Sequence, residues 1–190
     1  MGECSTGDYR TPLWKKIWLL KLPAKVRIFA WRACMYGLPT LLNLGKRGVS
    51  IDALCPLCGK DFESTTHALI RCSKNWEVWW NWQTCPINLG DGNLDILDAA
   101  LRILEAGGTP RDLETFFVTA WLIWYNRNKV IHDSPCLSSS QIWGFAQRLQ
   151  GDYKGAITAN FLKQQPTDGA TSEDGSPYSV NAPKCRIVVK

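Results

Sequence analysis

The sequence predicts a mainly α-helical protein: a helical domain that carries one small knuckle, followed by a disordered C-terminal linker. Three observations lead there. Apolar residues recur at helical spacing along most of residues 12–162, the period that gives a helix one buried stripe. Three thiols and one imidazole, those of Cys55, Cys58, His67 and Cys72, fall within eighteen residues. From Lys163 to Pro183 the chain turns to Thr, Asp, Gly, Ser and Pro, a composition that buries too little apolar surface to order itself.

With 190 residues, 45% of them apolar, and ten tryptophans, the chain is large enough for a real core. Its net charge of +5 is modest, but the distribution is uneven. Nine Lys/Arg and no Asp or Glu lie between Arg10 and Ser50. Such a local field favours a polyanion, nucleic acid being the usual one; the alternative is a merely solvated basic face. No signal sequence opens the chain and no apolar run approaches the roughly 20 residues of a membrane span. The expectation is a nuclear or cytoplasmic protein, where thiols stay reduced and bind metal more often than they pair. Met1-Gly2-Glu3-Cys4-Ser5-Thr6 fits the N-myristoylation pattern, but that pattern is short and common, and no lipid anchor is expected from it.

Pro12 suits the first turn of a helix with an apolar set of Leu13, Trp14, Ile17, Trp18 and Leu20, leaving Lys15, Lys16 and Lys21 outside. Pro23 should stop it near Leu22. A second helix is expected from Ala24 to Tyr36, burying Val26, Phe29, Ala30 and Ala33 and closed by Gly37. Lys25, Ile28 and Arg32 share another face of it, and Arg27 lies one turn from Trp31. A basic face with an accessible aromatic grips phosphates and stacks on a base, although an aromatic at such spacing is more often core. Thr40 caps a short helix to Leu44, and Gly45-Lys46-Arg47-Gly48 breaks it. Val49 and Ile51 suggest a brief strand.

Next comes Cys55-Pro-Leu-Cys58, in a Cys-x2-Cys-x8-His-x4-Cys arrangement. Three sulfurs and one imidazole nitrogen close a tetrahedral shell around Zn²⁺. Pro56 narrows the backbone choices between the first two ligands, and Gly59 supplies the positive φ a knuckle turn needs. His67 and Cys72 are five apart, a separation that turns them roughly 140° away from each other on an ideal helix. Any helix here must therefore end or distort before Cys72. Four protein ligands leave no open position, so one structural zinc is expected and not a catalytic one. Ordinary buried thiols with a solvated histidine, or a redox Cys-x-x-Cys pair, would account for less of the clustering.

Trp14-Lys15-Lys16-Ile17-Trp18, Pro23-x-Lys25-Val26, Phe29-x-Trp31-Arg32, Leu38-Pro39-Thr40, Arg47-Gly48-Val49, Cys55-Pro-Leu-Cys58-Gly59, Glu63-Ser-Thr-Thr-His67 and Cys72 match one family in order and spacing. The segment, about residues 12–82, resembles the zinc-binding domain found downstream of the reverse transcriptase in plant LINE-type retrotransposons. The resemblance implies a domain over 12–85 and makes Cys55, Cys58, His67 and Cys72 the metal ligands.

Beyond it, Ser73 caps a helix holding Trp76, Val78, Trp79, Trp80 and Trp82, tryptophans assigned mainly to core rather than to a stacking surface. A helical region over 94–162 follows. It comprises Leu94 to Ala106 (Leu97, Ala100, Leu101, Leu104), a long helix capped by Thr109 with Pro110 at its first position (Leu113, Phe116, Phe117, Ala120, Trp121, Trp124), and Gln141 to about Phe161 (Ile142, Phe145, Ala146, Leu149, Tyr153, Ala156). Trp121-x-x-Trp124-x-x-Arg127-Asn128 again resembles the segment after the zinc domain in those plant proteins. His132 reads as a solvated cap. In the resembled proteins the linker leads into a ribonuclease H-like domain whose first strand carries a metal-binding aspartate. Residues 163–190 are expected to be this linker and the truncated start of that domain, since Cys185-Arg-Ile-Val-Val-Lys190 carries no aspartate after Val189.

The leading functional expectation is a non-catalytic, zinc-binding fragment derived from such a polyprotein. It would bind RNA or DNA without sequence preference through Lys15, Lys16, Lys25, Arg27, Arg32, Lys46 and Arg47, with Trp31 stacking. The alternatives are a protein-interaction module built on the tryptophan-rich helices, or a degenerate remnant with no binding function. An enzyme is not expected: the chain shows no Ser-His-Asp set, no phosphate-cradling glycine loop and no complete carboxylate cluster.

Overall fold

The computed structural model describes residues 11–164. It contains seven α-helices in that span: α1 (Thr11–Leu19), α2 (Ala24–Cys34), α3 (Leu41–Lys46), α4 (Trp76–Trp80), α5 (Ile96–Glu105), α6 (Pro110–Ile131) and α7 (Ser139–Gln164). A π-helical turn (His67–Arg71) stands between α3 and α4. The expected linker from residue 165 on, and the N-terminal lipidation pattern, lie outside the described residues. Residues 163 and 164, expected as linker, instead complete α7. Among the described residues no helix is long and apolar enough to cross a membrane.

The core is organised around α6. Every residue from Leu113 to Ala120 is buried, so the single stripe expected from its sequence is in fact a helix covered on nearly all sides, as a central element must be. Thr109 and Asp112 fix its start, the Asp112 carboxylate accepting the Thr109 backbone N–H at 2.7 Å with Pro110 at the first position. That pair satisfies a donor which the helix itself leaves free. Around α6 pack α2, α5, α7 and the π-helical turn. Phe116 joins the zinc-side segment to the rest, its ring 5.4 Å from that of Trp79 and 5.2 Å from that of Phe117.

α7 runs antiparallel to α6, as the pairings Thr115–Gln150 and Asn126–Leu137 require. Its start is a reciprocal cap: Ser138 Oγ accepts the Gln141 backbone N–H at 3.3 Å and Gln141 Oε1 accepts that of Ser138 at 2.9 Å. Among its described side chains Ile142, Ala146 and Gln150 are buried, whereas Phe145 and Ala156, expected on that face, are exposed.

Four helix boundaries differ from expectation: α4 starts after Asn75 and not after a Ser73 cap, and the ends of α1, α2 and α3 are shifted. α1 stops at Leu19 and not Leu22, because the backbone N–H of Lys21 donates to Glu114 Oε1 of α6 at 2.8 Å instead of continuing the helical ladder. Glu114 also accepts from Lys154 Nζ at 2.7 Å and from Gln150 Nε2 at 3.3 Å, tying the α1–α2 link, α6 and α7 at one buried carboxylate. α2 ends at Cys34, and the left-handed residue after it is Tyr36 (φ 51°), not Gly37. The Gly37 N–H then reaches back to the Arg32 carbonyl at 2.8 Å. A tyrosine in that conformation is strained, and its hydroxyl is held by the Asp95 carboxylate, which offsets the cost. α3 passes through Gly45 to Lys46, and Gly48 (φ 86°) makes the turn instead.

Two further expectations fail on packing. Val49 and Ile51 form no strand; the extended pairing is a single bridge, Leu54 to Phe62. In α5 the buried set is Ile96, Leu97, Ala99, Ala100 and Ile103, with Leu101 and Leu104 only partly covered. The helix is rotated from the expected stripe because α2 and α6 both press on it.

Candidate metal centre

The knuckle's first limb is a small hairpin. The Cys55 backbone N–H donates to the Asp61 carbonyl at 2.8 Å, and the Gly59 N–H returns to the Cys55 carbonyl at 2.8 Å. Gly59 takes φ 64°, the left-handed value its turn was expected to need. Leu54 and Phe62 close the hairpin base, so Cys55 and Cys58 point to one side of a tight loop.

The second limb solves the spacing problem noted in the sequence. The chain from His67 to Arg71 winds as a π-helix, with the Cys72 backbone N–H bonded to the His67 carbonyl at 2.9 Å. An i→i+5 repeat brings the fifth residue round towards the first, where an α-helix would turn it away. The wider turn leaves the carbonyls of Ala68 and Leu69 without helical partners. Asn75 Nδ2 takes the first at 2.7 Å and Trp79 Nε1 the second at 2.9 Å, because an unpaired buried carbonyl is costly. At the start of the turn, Ser64 Oγ accepts the His67 N–H at 3.1 Å.

Together the limbs bring one ligand atom each from Cys55, Cys58, His67 and Cys72 to within 4.8 Å of one another. Cys55 Sγ and Cys72 Sγ are 3.8 Å apart, and Cys58 Sγ is 3.3 Å from His67 Nε2. A tetrahedron with Zn–S arms of about 2.3 Å has S–S edges of about 3.8 Å and slightly shorter S–N edges, so the donor set fits one structural Zn²⁺. The His67 Nδ1 faces the exposed Asp61 carboxylate at 3.8 Å, a loose outer contact that still favours Nε2 as the metal-side nitrogen. In the metal-free tetrad the hydrogen bond from Cys72 pushes the Cys55 thiol down to about 3, while the same bond and burial push Cys72 up. Hydrogen bonds to Cys55 and Cys58 push His67 up to about 9. One thiolate beside a protonated His67 leaves the tetrad holding protons, and loading Zn²⁺ must displace them.

Glu63 is a site residue whose role the sequence did not reveal. It is fully buried, and Arg127 of α6 is 4% exposed. Arg127 Nε donates to Glu63 Oε1 at 2.6 Å, and its Nη2 to Oε2. The same carboxylate accepts the Leu41 backbone N–H at the start of α3 at 2.8 Å, and the Arg127 guanidinium lies 4.7 Å over the Trp124 ring. This pair bolts the knuckle to α6. Both residues stand within the motifs quoted for the resemblance, but charge normally signals exposure, and no periodicity shows two distant charges meeting.

The candidate nucleic-acid residues are spread over α1, α2 and the end of α3. Lys15, Lys16, Lys46 and Arg47 are exposed. Arg27 is half-buried and donates to the Trp18 carbonyl at 2.7 Å, and Arg32 donates to the Gly37 carbonyl at 3.3 Å, so these two are partly spent on the fold. Lys25 is exposed with its Nζ 4.8 Å over the Trp121 ring, and Trp31 is 41% exposed. Of the four tryptophans of residues 76–82, Trp79 and Trp82 are core, whereas Trp76 and Trp80 are 38% and 67% exposed. The expectation of mainly core therefore holds for half of them.

Comparison with known families places residues 3–79 in a match to the family described as zinc-binding in reverse transcriptase. Comparison with curated proteins and with solved structures gave no significant match.

Proposed function

From a segment, residues 3–79, that matches the family described as zinc-binding in reverse transcriptase, we propose that this protein is a non-catalytic module binding nucleic acid without sequence preference. We further propose that it derives from a LINE-type retrotransposon polyprotein. The observation that carries the binding role is the run from Arg10 to Ser50, nine basic residues with no acid among them, in which Lys15, Lys16, Lys25, Lys46 and Arg47 are exposed. Phosphate contacts from such residues position a polyanion without reading bases. The non-catalytic role is supported by the ligand count, since four protein ligands leave no position for a reactive water.

Fluorescence anisotropy with single-stranded and duplex probes at two salt concentrations tests this reading. Binding should lie in the roughly 10⁻⁴–10⁻⁶ M range at physiological salt and tighten steeply as salt falls. The Lys46→Gln/Arg47→Gln double variant should weaken all probes alike and reduce the salt slope by about 1–2, since each lost phosphate contact removes roughly 0.7–0.9. Purified protein with Mg²⁺ should leave an RNA–DNA hybrid uncut; cleavage that co-purifies with the protein would overturn the non-catalytic role. If no probe binds even at low salt, a protein-interaction module takes its place, the specific feature favouring it being the groove lined by the exposed Trp76 and Trp80.

A further inference from the structure

A column of alternating charge and ring runs along the surface where α2 meets α6. Lys25 Nζ lies 4.8 Å from the Trp121 ring centre. Trp121 stacks on Tyr125 with centroids 6.0 Å apart and planes inclined by 22°. Lys129 Nζ covers the Tyr125 ring at 5.3 Å. Trp121, Tyr125 and Lys129 are spaced four apart on α6, which puts them on one stripe of the helix, and Lys25 is delivered from the first turn of α2. Both rings are only partly buried. Among the described residues neither ammonium has a carboxylate within ion-pair distance.

We propose that this column is a stacking platform for the bases of a single-stranded polynucleotide, with Lys25 and Lys129 holding the flanking phosphates. The inference rests on the nucleic-acid reading above and adds to it a site that the run of basic residues does not identify. The two lysines are long, flexible and held over the rings only by cation–π attraction, which is weak at exposed positions. A base stacked on an aromatic ring gains more. An ammonium that swings off its ring onto a phosphate makes a charge-assisted contact in exchange. A duplex offers no free base face except at its ends, so the platform should act on single strands alone. Charge complementarity settles the occupant: a partner that pairs with two cations and also has flat apolar faces at stacking distance is a polynucleotide strand.

The test uses the whole protein loaded with zinc, with single-stranded DNA, single-stranded RNA and duplex DNA probes in the anisotropy assay. Tyr125→Leu should weaken binding to single strands roughly tenfold, the loss of one base–ring contact. It should leave duplex affinity and the salt slope unchanged, because no charge is removed. Tyr125→Phe should bind like the parent. Comparing the DNA and RNA strands distinguishes the two sources of the same chemistry. If the parent binds strands and Tyr125→Leu binds them equally well, the platform is wrong and the nucleic-acid reading survives. If Tyr125→Leu loses strands and duplex alike, the tyrosine supports only the fold, and the platform is again wrong. If the parent binds nothing at low salt, the reading itself falls. Should Tyr125→Leu not fold, 5-iodouracil cross-linking to the unaltered protein decides the matter: adducts on Trp121 or Tyr125 support the platform, and adducts only elsewhere overturn it.

Discussion

Cys58→Ser will lose zinc and cooperative unfolding together. Apparent binding free energies of structural zinc in small sites are about 10–16 kcal/mol, as large as the entire stability of a typical domain, about 5–15 kcal/mol. The ion holds the hairpin of Cys55 and Cys58 against the π-helical turn, and that turn buries Ala68, Leu69 and Ile70 in the core beside α6. Losing the ion therefore loosens an inner wall of the protein and not a surface appendage. Metal analysis should find close to one zinc per chain in the parent and little in the variant. Thermal unfolding followed by circular dichroism should change from a sharp transition to a broad one, and a strong chelator should reproduce this in the parent. Because thiols and imidazole must shed protons to bind the ion, acid should release it. A metal-free variant that unfolds as sharply and at the same temperature as the parent would refute a structural role.

Arg127→Leu should destabilise the folded protein by about 3–5 kcal/mol, the typical cost of leaving one partner of a buried ion pair alone. Glu63, with no exposure to solvent, would be left with the Leu41 backbone N–H as the remaining partner of its carboxylate. For a protein of this size the effect corresponds to a fall in Tm on the order of 10 °C. Zinc content should stay near one per folded chain, which separates this defect from loss of a ligand. The double variant Glu63→Leu/Arg127→Leu should lose less than the two single changes added together, since replacing both partners leaves no orphaned charge. Urea unfolding measures all three variants. A midpoint for Arg127→Leu equal to the parent's would show that the pair does not join the knuckle to α6.

Much of the candidate metal centre was legible because its constraints are local. The Cys-x2-Cys turn needs a left-handed residue one position on, and Gly59 supplies it. The five-residue step from His67 to Cys72 is incompatible with ligation from one regular helix, so the spacing itself requires a distortion. The caps at Thr40 and Thr109 were legible for the same reason, being contacts within three residues of one another.

What the sequence by itself determined, then, is a helical chain with a four-ligand zinc knuckle, a basic N-terminal third and the approximate position of every long helix. The tertiary structure alone decided the covered face of α5 and the all-round burial of α6, where α1, α2 and α3 stopped, and which charges met. α1 ends early because Glu114, ninety-three residues beyond Lys21, takes that residue's backbone donor. Tyr36 accepts a left-handed conformation because Asp95 anchors its hydroxyl. Trp121 and Tyr125, one read as core and the other unremarked, form a cation-flanked column because α2 brings Lys25 to them. The physical reason is common to all three: propensity and periodicity act over one or two turns of chain, whereas these outcomes depend on groups that become neighbours only when distant segments pack.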